Sequence, residues 1–410
     1  MNCRHCNTEL KQVFADLAYS PVSNSMLSKS ELQKPESYYP LKVFVCQKCF
    51  LVQVDDVNKP EDFFNEDYTY YSSFSSSWLK HAKNYVDMMM ERYHFNEHSQ
   101  IIEMGSNDGY LLQYFKDYNV PVLGIDPSKG TALEAEKKGV PTISEFFSSH
   151  LAETKIVNKG KKADLILGNN VLAHDPRIND IVKGLKIALK KEGVITIESP
   201  HLMSLVKDCQ FDTIYHEHFF YYSLTTLKTI FESQDLEIFD IDELSTHGGS
   251  FRIYAKHKED TSKQVSSRVN DFLNREAEVG IKTESFYQNF QPRIEKIKND
   301  ALLFLIEEKR KGKSFIGYGA AAKGNTFLNY CGIKGTEIIK FVVDASTYKQ
   351  GKYLPGSHIP VVNEENIAEL KPDYVILLPW NLKKEIVEQL SYIRDWNGKF
   401  VIFIPELTVF

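Results

Sequence analysis

The chain has 410 residues, of which 42% are hydrophobic and 25% charged, as is typical of a globular protein with two or three domains. Its net charge of −6 at pH 7 argues against nucleic-acid binding, because nucleic-acid-binding proteins present a basic surface. No apolar run approaches the roughly 18 residues that a membrane span needs. These values predict a multidomain protein with neither a nucleic-acid nor a membrane partner.

Two C-x-x-C pairs near the start of the chain have the spacing of zinc ligands. Together they supply four sulfur atoms, which close a tetrahedral site with bonds of about 2.3 Å and leave no open catalytic position. The alternative is two disulfides in a secreted domain, which would require a signal peptide that the first residues do not provide. We therefore expect a cytoplasmic protein with reduced thiols and one structural zinc ion held by Cys3, Cys6, Cys46 and Cys49.

The segments around these cysteines are short, polar and interrupted by proline, so a domain built from them depends on its metal. Residues 41–45 have the pattern of a strand that leads into the second cysteine pair. The Tyr- and Ser-rich stretch 62–77 has neither helical nor strand periodicity, and we predict a loop that crosses between domains. A helix of moderate amphipathicity is expected from residue 78 to about residue 93.

From residue 100 onwards the pattern becomes α/β, with helical segments between apolar strands. The predicted strands are 100–105, 122–126, 140–143, 163–168 and 193–198. The first strand ends in a glycine turn that opens a helix, and the second ends at Asp126. In a doubly wound parallel sheet, a carboxylate at that position accepts hydrogen bonds from a ribose diol. The sequence thus predicts a nucleoside ligand at the carboxyl ends of a parallel sheet.

The glycine turn helps to choose the ligand. A dinucleotide fingerprint has three glycines that let the backbone approach a pyrophosphate. Here the turn from Gly105 to Gly109 carries Asp108, which would repel a pyrophosphate. The E-x-G-x-x-x-G spacing resembles motif I of class I S-adenosylmethionine-dependent methyltransferases, whose ligand carries a sulfonium and an amino group. Glu103 and Asp108 suit that positive charge, and an NAD-dependent nucleotide-sugar dehydrogenase or epimerase is the alternative.

Five motifs occur in a characteristic order: C-x-x-C twice, YTYYSSFSSSW, EMGSNDG, NNVLAHDP and YHEHFFYYS. Over essentially its whole length, the chain resembles the sugar C-methyltransferases of nucleotide-linked deoxysugar biosynthesis. The resemblance implies a zinc-binding domain at 1–62, an S-adenosylmethionine-binding domain at 63–258 and a C-terminal Rossmann-like domain at 259–410. It also implies methylation of a carbon next to the ketone of a 4-keto sugar, most familiarly C3.

Methylation α to a carbonyl requires a base that removes a proton and donors that stabilise the enolate oxygen. By the resemblance, His218 is the general base and Tyr215 and Glu217 hold the base or the substrate. Two further active-site positions of the family are matched by His174 and Tyr70. His216 is expected to contact the substrate. The alternatives are a metal site at His-x-His, or histidines that are simply packed in the core.

The remaining contacts with S-adenosylmethionine are expected in the glycine turn and at the ends of the predicted strands. The full set of expected cofactor residues is Glu103, Gly105, Asn107, Asp108, Gly109, Asp126, Phe146, Phe147 and Asn169.

After residue 258, a long charged helical stretch leads to a second strand, glycine turn and helix at 314–326. Further buried strands are predicted at 338–344, 374–379 and 400–404. The second turn carries a lysine, so the diphosphate of a nucleotide-sugar fits at the start of its helix. The alternative is a dimerising or lid domain with a vestigial site. The expected substrate contacts are Ala320, Lys323, Asn325 and Asp344.

Several features stay open at this level. The nucleotide is dTDP, GDP or CDP, and C3 of the sugar carries an amino or a hydroxyl group. The chain is expected to be a monomer or a weak homo-oligomer. A noncatalytic zinc-containing binding protein is the remaining alternative to an enzyme.

Overall fold

The structure is a computed structural model, and it describes residues 1–55, 57, 59–63 and 71–410. The strands in this part of the chain are β1 (Gln12–Ser20), β2 (Tyr39–Val45), β3 (Val52–Val54), β4 (Ile101–Met104), β5 (Val122–Ile125), β6 (Thr142–Ile143), β7 (Ala163–Asn169), β8 (Leu189–Pro200), β9 (Phe220–Tyr221), β10 (Leu236–Leu244), β11 (Ser250–His257), β12 (Phe315–Tyr318), β13 (Ile339–Val343), β14 (Val361–Val362), β15 (Tyr374–Leu377), β16 (Lys399–Ile402) and β17 (Thr408–Val409).

The helices lie between these strands. They are α1 (Pro60–Phe63), α2 (Ser76–Tyr93), α3 (Leu112–Lys116), α4 (Lys129–Lys137), α5 (Ser149–Leu151), α6 (Ile178–Ala188), α7 (Leu202–Lys207), α8 (Leu224–Glu232), α9 (Ser267–Glu278), α10 (Glu284–Gln288), α11 (Phe290–Arg310), α12 (Ala322–Tyr330), α13 (Glu365–Leu370) and α14 (Lys383–Gln389). Among the described residues, no helix is both long and apolar enough to cross a membrane.

The N-terminal sheet is antiparallel and has the order β1-β2-β3-β9. The sequence predicted only the strand at 41–45, and it missed β1. Two register irregularities and the positive φ of Ala18 (59°) break the alternation of buried and exposed residues along β1, which hides the strand signal. The fourth strand, β9, comes from much later in the chain and pairs with β3. Because the N-terminal sheet includes this later strand, the sheet order does not test the domain boundaries at 62 and 258, and they stay predictions.

The central sheet has seven strands in the order β10-β11-β8-β7-β4-β5-β6. Five of them are parallel and correspond to the predicted strands, with the third shortened to β6 and the fifth extended to β8. The antiparallel hairpin of β10 and β11 was not predicted. All of β11 is buried although it contains Arg252, Lys256 and His257, and these polar residues conceal its strand character.

The helix predicted at 78–93 is α2, which begins two residues earlier, at Ser76. The Ser75 hydroxyl caps this start by accepting a hydrogen bond from the Trp78 N–H at 3.2 Å. The charged helical layer after residue 258 consists of α9, α10 and α11. It leads to the C-terminal sheet, whose order is β14-β13-β12-β15-β16-β17, and all of its pairs are parallel except the one that β17 makes.

The three sheets share a continuous core. One buried cluster contains Phe14 from the N-terminal sheet, Ile197 from the central sheet and Val342 from the C-terminal sheet. The Phe14 ring stacks on Phe290 of α11, with centroids 4.4 Å apart. Burial of apolar side chains contributes roughly 25 cal/mol per Å². The three parts are therefore stabilised together rather than as separate bodies.

Candidate active site

The four predicted zinc ligands come together at one end of the N-terminal sheet. Their sulfur atoms all lie within 4.8 Å of one another, with 3.5 Å between Cys3 and Cys49 and between Cys6 and Cys46. Zinc bonded tetrahedrally to four thiolates at 2.3 Å places the sulfur atoms about 3.8 Å apart, so the cluster fits that ion. Gln53 adds a further hydrogen bond to the Cys3 sulfur at 3.3 Å. Among the described residues, no other group of His, Cys, Asp or Glu has this arrangement.

The glycine turn follows β4 as predicted. Gly105 has φ +68°, and a Cβ atom at this position would lie 2.3 Å from Cγ1 of Val171, so only glycine fits here. The turn is held from the next strand, because the Asn107 N–H donates to Oδ2 of Asp126 at 2.9 Å. Gly109 also has a positive φ, +75°. The strand, turn and helix therefore form the expected mouth of a nucleoside-binding crevice.

The two aspartates predicted to meet the cofactor have protein partners. Besides Asn107, Asp126 accepts hydrogen bonds from the Ser128 N–H at 3.0 Å and the Thr131 hydroxyl at 2.8 Å. Oδ2 of Asp108 lies 3.0 Å from the ammonium of Lys138. Asp126 thus ties the turn to its neighbouring strand, and the charge of Asp108 is largely balanced within the protein. The structure gives both residues structural contacts that the sequence did not show.

Other polar groups in the crevice have no hydrogen-bond partner among the described residues. They are the hydroxyl of Ser106, Oδ1 of Asp108 and the whole side-chain amides of Asn169 and Asn170. All four atoms or groups are buried at the carboxyl ends of β4 and β7. Because an unsatisfied buried polar group costs about 1–3 kcal/mol, these groups suit a polar ligand such as the amino-acid and ribose parts of S-adenosylmethionine. Burial also raises the pKa of Glu103 well above its usual value.

The two phenylalanines predicted near the adenine differ in position. Phe147 is buried and packs against Gly184 of α6, where a Cβ atom would lie 2.9 Å from the Phe147 ring. Its ring therefore belongs to the core. Phe146 is only partly buried, and the Arg177 guanidinium lies 5.5 Å from its ring centroid. Of the two, Phe146 is the one that remains accessible to a ligand.

His218 is a neutral imidazole with a defined tautomer. Its Nδ1 lies 3.0 Å from the Thr213 carbonyl, which can only accept, so Nδ1 carries the proton. Its Nε2 therefore has a free electron pair, to which the Tyr215 hydroxyl donates at 2.7 Å. Burial lowers the pKa of His218 well below its ordinary value, and repulsion from the ammonium of Lys323 lowers it further. The Nε2 atom is thus a proton acceptor at neutral pH.

His174 lies beside His218, with ring centroids 4.9 Å apart at 61°. Its Nδ1 is 2.8 Å from the backbone carbonyl of Glu217, so it too carries its proton on Nδ1. Burial lowers the pKa of His174 to about 4. The structure therefore brings together two neutral imidazoles and Tyr215, three of the residues expected to be catalytic.

The neighbouring side chains of the same motif point elsewhere. His216 is buried, its Nε2 lies 3.1 Å from the Pro40 carbonyl of β2, and its ring packs edge-on against Tyr39. It supports the N-terminal sheet and does not join His218, so a shared metal at His-x-His is not formed. The Glu217 carboxylate also turns away from His218 and bonds to Asn24. Within this motif, Tyr215 and His218 lie at the crevice, whereas the side chains of His216 and Glu217 contact the N-terminal part of the chain.

Tyr70 lies outside the described residues. The segment that follows it lies over the glycine turn, because the Ser72 N–H donates to Oδ1 of Asn107 at 2.9 Å. The Tyr71 ring stacks on Tyr348, with centroids 5.5 Å apart. The aromatic segment therefore passes between the cofactor crevice and the C-terminal sheet.

Of the predicted substrate contacts in the C-terminal part, Lys323 reaches the crevice. The positive charge of Lys323 lowers the pKa of His218. Its ammonium lies 3.3 Å from Oδ1 of Asn381 and 5.1 Å from the Trp380 ring centroid. Burial lowers the pKa of Lys323, while Asp212 opposes that shift. Lys323 therefore faces His218 from the first turn of α12.

The other three candidates divide into two kinds. Asp344 accepts a hydrogen bond from the Ala320 N–H at 2.8 Å, and this pair shapes the second glycine turn. Asn325 is buried, and neither polar atom of its side chain has a partner among the described residues. Asn325 thus has spare hydrogen-bonding capacity, whereas Asp344 and Ala320 are engaged with each other.

Sequence reasoning missed Asp212 and Trp380. The Trp380 indole donates to Oδ2 of Asp212 at 2.7 Å, and burial raises the pKa of Asp212 to about 6. The position of Asp212 shortly before the YHEH motif is a signal that could have drawn attention to it. Trp380 follows a predicted strand by only a few residues but carries no motif. Together they join the C-terminal sheet to the loop that carries His218.

A seven-stranded sheet with a terminal antiparallel hairpin, a glycine turn after its first strand and two histidines at the crevice defines a class I methyltransferase. Three family descriptions agree with it: a zinc binding domain matches residues 3–64, a methyltransferase domain matches 79–241, and a C-methyltransferase C-terminal domain matches 245–405.

The C-methyltransferase NovU of Streptomyces niveus is 34% identical over 404 residues, which cover 98% of this chain and 95% of NovU. The chain belongs to this family of C-methyltransferases and is an S-adenosylmethionine-dependent enzyme with a zinc-binding domain. Family membership also sets aside the dehydrogenase and the noncatalytic protein as alternatives.

Solved structures resemble only part of the chain. The magnesium protoporphyrin IX methyltransferase ChlM of Synechocystis PCC 6803, with bound SAM, is 14% identical with a TM-score of 0.34, covering 44% of this chain and 79% of that chain. An S-adenosylmethionine-dependent methyltransferase of Clostridium acetobutylicum ATCC 824 is 12% identical with a TM-score of 0.36, covering 44% and 92%.

Proposed function

We propose that the enzyme methylates a carbon next to the ketone of a nucleoside-diphosphate-linked 4-keto deoxysugar, with C3 as the first candidate. The observation that carries this proposal is the neutral His218, whose Nε2 electron pair faces the Tyr215 hydroxyl at 2.7 Å. A carbon next to a ketone becomes a nucleophile only after it loses a proton, and an unprotonated imidazole with an adjacent hydroxyl donor supplies both functions that the step needs.

In the proposed mechanism, His218 Nε2 takes the proton from the substrate carbon. The Tyr215 hydroxyl, which donates to Nε2 before the proton is transferred, then donates to the enolate oxygen. The Thr213 carbonyl holds the Nδ1 proton of His218, so the imidazolium that forms keeps its orientation. S-adenosylmethionine supplies the electrophilic methyl group when bound, and the polar groups of Asn169 and Asn170 would help to hold it.

This mechanism predicts exchange of the substrate proton without methyl transfer. In deuterated water, with S-adenosylhomocysteine in place of the methyl donor, the enzyme is expected to exchange the proton next to the ketone of its 4-keto sugar nucleotide. Proton NMR measures the loss of that signal, and S-adenosylmethionine should then give a methyl group at the same carbon. If no member of a broad panel of 4-keto sugar nucleotides is methylated, the proposed substrate class is wrong.

We further propose that the diphosphate binds at the start of α12, beside Lys323 and the unpartnered Asn325. Exchanging Lys323 for methionine is expected to weaken nucleoside-diphosphate binding about 10- to 100-fold, since a hydrogen bond to a charged group contributes roughly 1.5–3 kcal/mol. Calorimetric titration with dTDP, GDP and CDP measures this and identifies the base. The exposed Lys384 on α14 provides the control, Lys384→Met. Equal affinities for all three proteins would contradict the assignment.

A further inference from the structure

One loop of the N-terminal part, residues 21–28, lies between the central and C-terminal parts of the chain. The backbone of Leu27 pairs with Tyr353 through two hydrogen bonds of 2.9 and 2.8 Å. Near the start of the loop, the Ser23 hydroxyl is 3.5 Å from that of Thr326 on α12. The loop is therefore fixed to the C-terminal part at two points, and Asn24, one of the three residues between them, turns toward the central part.

Asn24 meets the buried carboxylate of Glu217. Its amide nitrogen is 2.9 Å from Oε1 and 2.8 Å from Oε2 of Glu217. Glu217 is only 3% exposed, so the amide replaces most of the water that would otherwise solvate this carboxylate. An ionised carboxylate accepts hydrogen bonds only, which fixes the nitrogen of the amide as the atom that faces it.

Glu217 is also connected to the catalytic histidines through its backbone. Its carbonyl accepts the Nδ1 proton of His174 at 2.8 Å, and His218 is the next residue in the chain. The side chain of Glu217 is thus held by the N-terminal loop while its backbone holds His174. A shift of this residue would be transmitted directly to the two imidazoles.

We propose that Asn24 is a positioning residue of the active site: by holding the Glu217 carboxylate, it fixes the backbone carbonyl of Glu217 that orients His174. This proposal rests on the proposed function, because it requires that the histidines next to Glu217 form the active site. It gives the zinc-binding part of the chain a direct contact with the catalytic loop, through a residue separate from the zinc ligands.

The charge state of Glu217 is set by few groups. Burial raises the pKa of Glu217 to about 7, and the side chain and backbone of Asn24 oppose that rise. The titratable groups on the neighbouring elements are His174 on the loop after β7, His216 and His218 on its own loop, and Lys323 on α12. None of these is a cause of the Glu217 shift, and burial lowers the pKa of each of the four. Loss of Asn24 would therefore raise the pKa of Glu217 further.

The test compares Asn24→Ala and Asn24→Asp with wild type and with Ser25→Ala, a matched change at the exposed neighbour. Infrared titration of the Glu217 carboxyl band, identified by its loss in Glu217→Gln, gives its pKa without substrate. We expect the pKa of Glu217 to rise by about one unit in Asn24→Ala and to stay unchanged in Ser25→Ala. In Asn24→Asp it should rise more, because two carboxylates then face each other. Asn24→Ser keeps a hydrogen-bond donor, its hydroxyl, so it should shift the pKa of Glu217 less than Asn24→Ala does. This variant replaces Asn24→Ala in the test if the alanine variant is unstable.

In Asn24→Ala, kcat should fall with little change in KM, because the carbonyl of Glu217 no longer holds His174 in its orientation. In a Glu217→Gln background, Asn24→Ala should cause no further loss. An unchanged carboxyl titration, or equal losses from Asn24→Ala in both backgrounds, would overturn the assignment. Absence of methyl transfer in wild type would instead count against the proposed function, since the infrared titration needs no substrate.

Discussion

Replacement of His218 with asparagine is expected to lower methyl transfer by roughly 10²- to 10⁴-fold, the usual contribution of a positioned general base. The amide nitrogen and oxygen of asparagine preserve hydrogen bonding to Thr213 and Tyr215 but provide no basic electron pair. Proton exchange next to the substrate ketone should fall with methyl transfer, since both need the same proton to be removed. Rates are measured with radiolabelled S-adenosylmethionine and by NMR.

The control for this experiment is His98→Asn, the same change at a histidine whose side chain is 86% exposed. It should leave the rate unchanged. Calorimetry should show that His218→Asn still binds S-adenosylmethionine, because no cofactor residue has been altered. A His218→Asn enzyme that keeps more than about a tenth of wild-type kcat would assign the proton transfer to another residue, with His174 as the next candidate.

Replacement of Cys46 with serine is expected to unfold the N-terminal sheet before it affects any chemical step. Structural zinc contributes roughly 10–16 kcal/mol of folding free energy in small zinc domains, as much as the whole stability of an ordinary domain. The damage should reach the active site because β9, which pairs with β3, begins just after His218. We expect loss of bound zinc by metal analysis, a lower thermal midpoint and, as a consequence, loss of activity.

Cys331 offers the matched control, because it is a buried free thiol far in sequence from the zinc ligands and outside their cluster. Cys331→Ser should keep one zinc per chain and most of its activity. A Cys46→Ser protein that is fully folded, free of zinc and active would show that the four sulfur atoms do not hold a structural metal.

The sequence alone predicted the features that depend on residues close together in the chain. The C-x-x-C pairs, the glycine turn at Gly105 and the buried parallel strands each express their structure within a few neighbouring residues, and each was predicted. The grouping of His174 with His218 came from the family resemblance, since nothing in the spacing of the two residues requires their contact. The structure adds the tautomers, because these depend on backbone carbonyls whose positions are set by the fold.

Other features could not be predicted because they depend on distant partners. Asp126 has the sequence position of a ribose ligand, yet its oxygens are used by Asn107, Ser128 and Thr131. The contact of Asn24 with Glu217 joins residues 193 positions apart. Similarly, the directions of the side chains in the YHEH motif depend on distant partners, such as the Pro40 carbonyl for His216 and Asn24 for Glu217. Only the tertiary arrangement determines these contacts.

The loop that carries His218 is fastened at both ends by parts of the chain that belong to other sheets. Before it, the Thr326 hydroxyl of α12 donates to the Ile214 carbonyl at 3.0 Å; after it, β9 pairs with β3. The methyltransferase fold alone therefore lacks the supports that shape its own catalytic loop. For protein engineers, this means that the N-terminal loop, α12 and β9 have to be transferred together with the loop that carries His218.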